Sequence, residues 1–191
     1  MKQETRIWMS MIGNFIAIGL FVNVPLYVSA LYYEQKRQEV YADITFIVEL
    51  VNAVLYVMCG WALSKTNESN RIDFKLQTLQ LVIVIVAHVL FIIGYEYKFY
   101  LMQDVGMAGL SMNLLMIINF AMIARGLQTL QSRHAGFLIG IYTLCGSCAV
   151  ITMNGLGGYL FKLNPVLPFM AVSLPAATLF FLITLINLIC W

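Results

Sequence analysis

Six long apolar stretches, separated by short charged joints, occupy nearly all of this 191-residue chain. A helix needs about 20 predominantly apolar residues to cross the hydrocarbon core of a bilayer, and each stretch is long enough. Because backbone polar groups in lipid must be hydrogen-bonded internally, the crossing elements are expected to be helices. The predicted helices cover about 7–33, 44–63, 76–95, 99–124, 135–160 and 165–191. The sequence therefore predicts an all-α membrane protein with one six-helix transmembrane domain over residues 1–191.

The composition agrees with a membrane protein and argues against a nucleic-acid-binding protein. Hydrophobic residues make up 61% of the chain and charged residues 10%, whereas charged residues are about 25% of a typical soluble domain. The net charge is only +2, and the basic residues are scattered in short loops without a polybasic run. We therefore expect the lipid bilayer to be a partner and nucleic acid not to be one.

The basic residues also predict the orientation of the helices. Seven Lys and Arg residues lie at the N-terminus and in the second and fourth loops, against four on the other side, which places both termini in the cytoplasm by the positive-inside rule. Trp8, Trp61 and Trp191 fall at the same predicted ends of the first, second and sixth helices. We therefore expect a multi-pass protein of the cell membrane, either plasma or inner, with cytoplasmic termini.

The polarity of the helices follows an order that occurs twice. The third and sixth helices are plain and are predicted to face lipid, whereas the second and fifth carry polar or small residues along one face and the first and fourth are mixed. The face of the second helix carries Glu49, Asn52, Ala53, Tyr56 and Gly60, and that of the fifth carries Gly136, Gly140, Thr143, Ser147, Asn154 and Gly158. The first helix contains Asn14, Asn23 and Pro25, and the fourth contains Asp104, Gly106, Gly109, Ser111, Asn113 and Asn119. Because three is an odd number, the second triplet enters from the opposite side, which predicts a 3+3 inverted repeat.

Two loop regions carry a resemblance to a known family. After the second helix the chain reads GWALSK from Gly60 to Lys65, with Arg71 following, and Ser64 stands where the family motif has its acid. A second region runs from Arg133 through the glycines of the fifth helix to Pro168 and Phe169. With the polarity order, these features resemble one six-helix half of a major facilitator superfamily transporter, and the C-terminal half more than the N-terminal one.

The resemblance covers essentially the whole chain and implies a fold, a function and a partner. In this family the first helix of each triplet lines a central cavity, the second contacts the other half, and the third is peripheral. Because the family works as two halves, it implies a half-size or partial secondary transporter that moves a small solute by alternating access once paired with a second six-helix half or in a homodimer. The alternative is a non-transporting membrane subunit or a truncated transporter remnant.

Within this framework, three groups of residues are candidates for function. Glu49 is the only acid well inside a predicted helix, and His88 lies at similar depth on the third helix, so both are proton-coupling candidates, with a solvated carboxylate and a packing histidine as the alternatives. Amides suit the binding of a polar solute or the joining of helices. The cavity candidates are Asn23, Glu49, Asn52, Asn113 and Asn119, and the candidates for the half-to-half interface are Gly136, Gly140, Thr143, Ser147 and Asn154.

Enzyme classes are disfavoured by the residues that the chain lacks. Gly109-Leu110-Ser111 has the form of an intramembrane serine-protease motif, but the sixth helix carries no histidine to act as a base. His88 and His134 are the only histidines, and neither a His-Glu-x-x-His motif nor a Cys/His ligand cluster occurs. We therefore expect no catalytic residues, no metal and no cofactor.

Overall fold

The computed structural model describes residues 3–65, 72–112, 114–130 and 135–190, and these are helical apart from short connections, with no strand among them. Six helical segments are long and apolar enough to cross a membrane, which confirms the all-helical multi-pass class. They are α1 (Glu4–Glu34), α2 (Gln38–Lys65), α3 (Ile72–Glu96), α4 in two halves, α4a (Tyr100–Ser111) and α4b (Leu115–Leu130), α5 (Ala135–Leu163) and α6 (Pro168–Ile189).

The helix boundaries differ from those of the apolar stretches that predicted them, and α2 and α3 are longer. Helix α2 begins at Gln38 and α3 at Ile72, against predicted starts near 44 and 76, while α6 begins at Pro168 where the prediction was 165. Polar residues suit the interfacial layer, which adds to the roughly 30 Å hydrocarbon core on each side, so helices continue past the apolar window. The predicted end of the sixth helix at residue 191 lies outside the described residues.

An even number of crossings returns the chain to its starting side, so we use two names for the ends of the bundle. The terminal side carries both termini and the connections after α2 and α4, and the hairpin side carries the connections after α1, α3 and α5. On the hairpin side two turns close in the same way. Lys36 (φ 59°) and Lys98 (φ 56°) adopt the left-handed conformation. The next residues, Arg37 and Phe99, donate backbone hydrogen bonds of 2.8 Å to the carbonyls of Tyr32 and Gly94.

Each of these turns is therefore a Schellman-type helix end in which lysine occupies the position that usually belongs to glycine. A positively charged side chain at a helix C-terminus interacts favourably with the negative end of the helix dipole, which partly offsets the cost of the left-handed backbone. The result is a short, defined connection that sets α1 against α2 and α3 against α4a.

Helices α3 and α4a form a tightly packed antiparallel hairpin. A Cβ atom added at Gly106 would lie 2.7 Å from the Cα of Phe91, and one at Gly94 would lie 2.8 Å from the Cα of Gln103. One turn further along, a Cβ at Gly109 would lie 2.7 Å from that of Ala87. Because these distances leave no room for a side chain, the backbones of the two helices are in direct contact, as small residues allow within membranes.

The prediction that the third helix simply faces lipid is therefore wrong for one of its faces. The opposite face is exposed, as Leu79, Val82 and Val86 show. The buried face contains polar as well as apolar side chains: Asp73, Phe74, Gln77, Gln80, Leu81, Val84, Ala87, His88, Phe91 and Gly94. The apolar run LVIVIV supplies both faces, so hydrophobicity alone did not show which one packs.

Helices α1 and α4 form the centre of the bundle. Of the most apolar 18 residues, 47% are buried in α1 and in α4 but only 17% in α2 and in α5. Helix α1 packs on α4b and α5, and α4 packs on α3 and α2. The two larger core clusters lie along the bundle: one contains Tyr32, Phe91, Met107, Leu110 and Phe169, and the other contains Leu81, Leu115, Ile118, Met122 and Phe180. The interruption of α4 lies between them.

Candidate functional site

The interruption of α4 is the most unusual feature of the bundle. Helix α4a ends at Ser111, Met112 is extended (φ −74°, ψ 91°), and α4b begins at Leu115. The break lies near the middle of the span that runs from Tyr100 to Gln128. Non-helical backbone at membrane depth is tolerated only where protein buries it or where it lines a cavity. The break therefore requires partners for the backbone groups that it releases.

Two buried amides supply partners for two of these groups, both of them carbonyls. Asn52 of α2 donates from Nδ2 to the carbonyl of Ser111 at 3.0 Å, and Gln80 of α3 donates from Nε2 to the carbonyl of Met112. Both side chains are almost completely buried. Asn52 was predicted to line a cavity, and the structure places its amide in the buried interior, where it binds the end of α4a. The second amide, Gln80, was not identified from the sequence.

A further amide pair lies on the same face of α3 and nearer the terminal side. Gln77 donates from Nε2 to Oδ1 of Asn119 on α4b at 2.7 Å, and both side chains are fully buried. Helix α1 approaches this pair through Gly13, where an added Cβ would lie 2.7 Å from Cγ of Asn119. Asn119 was predicted to line a cavity, and the structure places it in the packed interior between α1, α3 and α4b. We call Asp73, Gln77, Gln80 and Asn119 the polar core.

At the terminal side the polar core meets a buried charge. Nε of Arg6 on α1 lies 3.5 Å from Oδ2 of Asp73, and the two side chains are 7% and 1% exposed. Oδ1 of Asp73 accepts from the backbone N–H of Phe74. Breaking a buried pair by removing one partner costs about 3–5 kcal/mol, because the other charge is left uncompensated. The pair therefore joins α1 to α3 at their terminal-side ends.

A groove opens beside the break, between α1, α4b and α5. Its volume is about 490 Å³. Asn14 of α1 lines it and donates from Nδ2 to the carbonyl of Tyr142 at 2.8 Å, which ties α1 to α5. The described lining residues are uncharged: Asn14, Ile18, Met116, Ile117, Phe120, Tyr142, Thr143, Gly146, Ser147 and Val150. Because Met116 and Ile117 belong to the first turn of α4b, the groove lies directly against the interrupted helix.

The two proton-coupling candidates lie in different environments. Glu49 is exposed on α2, whereas His88 is 1% exposed on α3. Nδ1 of His88 lies 2.8 Å from the carbonyl of Val84, and its ring packs against Phe169 of α6 with 6.4 Å between ring centroids. No ion pair between Glu49 and His88 occurs in the described part of the chain. The suggestion that they face each other therefore has no support in the geometry.

The five interface candidates on α5 share an open face. Gly136, Gly140, Thr143, Ser147 and Asn154 are all exposed, and an added Cβ at either of the first two would meet nothing within 4 Å. The hydroxyl groups of Thr143 and Ser147 donate to carbonyls of their own helix at 3.1 and 3.3 Å. The face is thus available to a partner or to lipid. Two of the cavity candidates, the side chain of Asn23 and the whole of Asn113, lie outside what the structure describes.

The hairpin side carries a second ion pair, which the sequence did not predict. The carboxylate of Asp104 accepts from Arg37 and from the hydroxyl of Tyr32, each at 2.6 Å. The guanidinium of Arg37 also stacks over Tyr100, 4.4 Å from the ring centroid. The group ties the ends of α1 and α4a to the start of α2, so its geometry is that of a structural joint.

Within the described residues, no group of three or more His, Cys, Asp or Glu side chains is arranged to hold a metal ion. The chain matches no protein-family model, no curated protein and no solved structure. The candidate site is therefore defined by geometry alone: an interrupted central helix, two amides that hold its free carbonyls, and an uncharged groove beside it.

Proposed function

We propose that the chain is a half-size or partial secondary transporter of the major facilitator type. It moves a small solute by alternating access once it is paired with a second six-helix unit. The observation that carries this proposal is the break in α4 at membrane depth, held by Asn52 and Gln80 beside a groove. Interrupted helices that meet a cavity near the bilayer midplane are the usual construction of solute sites in secondary transporters.

The burial of the six helices supports an inverted 3+3 repeat within the proposal. The first helix of each triplet is the most buried and the second is the least, in both halves of the chain. The packing partners also correspond under such a repeat, since α5 packs on α1 as α2 packs on α4. In this arrangement the exposed faces of α2 and α5 meet the second unit, which can be a homologous half or another copy of this chain.

The groove supplies the solute-binding surface in this proposal, and its chemistry suggests the class of solute. Asn14, Thr143 and Ser147 offer hydrogen bonds, while Phe120 and Val150 offer apolar surface. With no charge among its described lining residues, the groove suits a small neutral molecule with an apolar body and one or two hydrogen-bonding groups. The termini are cytoplasmic in this proposal, in a plasma or inner membrane, by the distribution of basic residues.

A second candidate is a non-transporting subunit or transporter remnant, and Ser64 favours it. The serine replaces the acid of the loop motif that the sequence resembles, and its hydroxyl donates within its own helix to the carbonyl of Trp61 at 2.7 Å. This candidate keeps the packed polar core but needs no solute in the groove.

The test is uptake by the chain purified with any bound polypeptide and reconstituted in liposomes. Solutes that raise its melting temperature are selected from a panel of neutral metabolites and then offered in labelled form. Val150→Trp fills the groove and should abolish both stabilisation and uptake. The matched control Val86→Trp lies on the exposed face of α3, which neither lines the groove nor meets the second unit in this arrangement, and should preserve both. If no solute stabilises or enters, or if both variants behave alike, the remnant interpretation replaces the transporter.

A further inference from the structure

A second cavity lies on the hairpin side, between the end of α1 and the start of α2, and we call it the hairpin cleft. Its volume is about 490 Å³, and its described lining residues do not overlap with those of the groove beside α4b. The lining comes from both helices: Ser29, Ala30, Tyr33 and Glu34 from α1, and Gln38 and Tyr41 from α2. Residues three and four apart share a helix face, so each helix presents one face to the cleft.

Among the described lining residues, Glu34 is the one that carries a charge. Its carboxylate forms no ion pair with the described part of the chain, whereas the carboxylate of Asp104, on the same side of the bundle, is paired with Arg37 at 2.6 Å. The three connections of the hairpin side are described throughout, so this comparison covers the charged residues of all three. The hairpin cleft therefore presents an uncompensated negative charge.

The neighbouring basic residues leave this charge in place. Arg37 is held by Asp104 and lies over the ring of Tyr100, 4.4 Å from its centroid. Lys36 is exposed at the turn between the two helices and does not pair with Glu34. Residues 34–43 contain three acidic and two basic side chains. The local charge therefore favours a cation in the cleft.

Two tyrosines supply aromatic surface to the hairpin cleft. Tyr41 packs against Tyr32 with 5.7 Å between ring centroids, and the fully buried Tyr32 donates from its hydroxyl to Asp104. The α2 side of the cleft is thus supported by a fixed aromatic pair. Tyr33, on the α1 side, is 70% exposed and has ring surface available to a ligand. Aromatic rings attract a cation placed over their faces, and quaternary ammonium groups are commonly bound in this way.

The set of lining groups fits an organic cation better than a metal ion. Calcium takes about 6–8 oxygen ligands, and the cleft offers one carboxylate. The volume of the cleft falls within the range of small-molecule sites, about 300–1,000 Å³. An alkylammonium group suits both features, because its charge pairs with a carboxylate while its methyl or methylene groups contact tyrosine rings.

We propose that the hairpin cleft binds an alkylammonium group, with Glu34 as its counter-charge and Tyr33 and Tyr41 as its aromatic surface. The same group occurs in free solutes such as choline and in the headgroup of phosphatidylcholine. Both tyrosines lie near helix ends, where tyrosine is enriched at the membrane interface, so the cleft is within reach of either source. The site shares no described lining residue with the groove and does not rest on the proposed transport function.

The first experiment uses choline and its uncharged isostere 3,3-dimethyl-1-butanol on the full chain in a maltoside detergent. Choline chloride should raise the melting temperature in a saturable manner, whereas NaCl at the same ionic strength and the isostere should not. Glu34→Gln and Tyr33→Leu should each weaken choline binding about fivefold, the size expected for an exposed ion pair or a cation–π contact.

Two controls accompany these variants. Glu39→Gln removes an exposed carboxylate of the same connection that does not line the cleft, and it should bind choline like the wild type. Because Glu34 is itself exposed and forms no ion pair with the described residues, Glu34→Gln should melt at the wild-type temperature in the absence of choline. Val150→Trp, which fills the groove, should leave choline binding unchanged, so the site and the proposed function fail separately.

The second experiment distinguishes the two sources of the ammonium group. The chain is released for native mass spectrometry from vesicles of phosphatidylcholine and phosphatidylglycerol with the same acyl chains. Preferential retention of phosphatidylcholine that is lost in Glu34→Gln, but not in Glu39→Gln, supports the site with a lipid headgroup as its occupant. Stabilisation by choline without that preference supports the site with a free solute. The proposal is refuted if the wild type prefers neither, if the isostere acts like choline, or if Glu34→Gln retains the wild-type response.

Discussion

The contact between α3 and α4a makes a quantitative prediction for Gly106→Ala. The new methyl carbon would lie 2.7 Å from the Cα of Phe91, and a backbone atom cannot rotate aside as a side chain can. Overpacking of this kind costs about 1–3 kcal/mol, and we take the upper end because two helices must separate. The gain in helix propensity from glycine to alanine returns about 1 kcal/mol. The expected net loss is about 2 kcal/mol, or roughly a 30-fold change in the ratio of folded to unfolded protein.

The assay is reversible unfolding in mixed micelles, followed by far-UV circular dichroism and by tryptophan fluorescence. Gly60→Ala is the matched control, because its methyl carbon would meet only Cδ1 of Ile117 at an ordinary 3.9 Å. The control should therefore be unchanged or slightly more stable. Gly94→Ala tests the same contact from the other helix and should lose stability like Gly106→Ala. Equal stability of Gly106→Ala and Gly60→Ala would refute the direct backbone contact.

Three other predictions concern topology, coupling and assembly. Ser69→Cys in the connection after α2 should be protected from an impermeant thiol reagent in intact cells, and labelling there would reverse the proposed orientation. Glu49→Gln should abolish proton-coupled accumulation without loss of folding if this exposed carboxylate serves the solute pathway, and unchanged accumulation in liposomes would remove it from the mechanism. Gly140→Leu with Ser147→Leu should convert a dimer to monomers in bilayers and mild detergent, because both positions lie on the open face of α5. Native mass spectrometry and crosslinking in the membrane measure this, and an unmodified chain that is always monomeric and binds no second polypeptide contradicts the two-half arrangement.

The number and class of the helices followed from the sequence because a long apolar run has few other structures available to it in a membrane. The break in α4 did not follow, since no proline marks it. Ser111 was placed among the polar and small residues of the fourth helix and was not recognised as a helix end. Hydrophobicity was sufficient to locate the membrane-spanning segments. It carried no information about where a helix is interrupted within such a segment.

The polar core was missed for a different reason. Asp73, Gln77 and Gln80 have the spacing of one helix face, but they lie at the start of a helix whose later residues are almost all apolar. Which face of α3 is buried depends on where Gly106 and Asn119 of α4 contact it. The sequence pattern within each helix does not show how the two helices are rotated relative to each other. Glu49, in contrast, was conspicuous in the sequence as an acid well inside a predicted helix, and the structure places it on the exposed face of α2.

The donors that hold the interruption of α4 have a consequence for the synthesis of the protein. Asn52 and Gln80 both precede Ser111 in the chain, so they leave the ribosome before the carbonyls that they bind. The interrupted segment therefore emerges into a membrane where its hydrogen-bond donors are already present, and it need not wait for α5 or α6. A nascent chain that ends just after α4b already contains every residue needed to satisfy those two carbonyls.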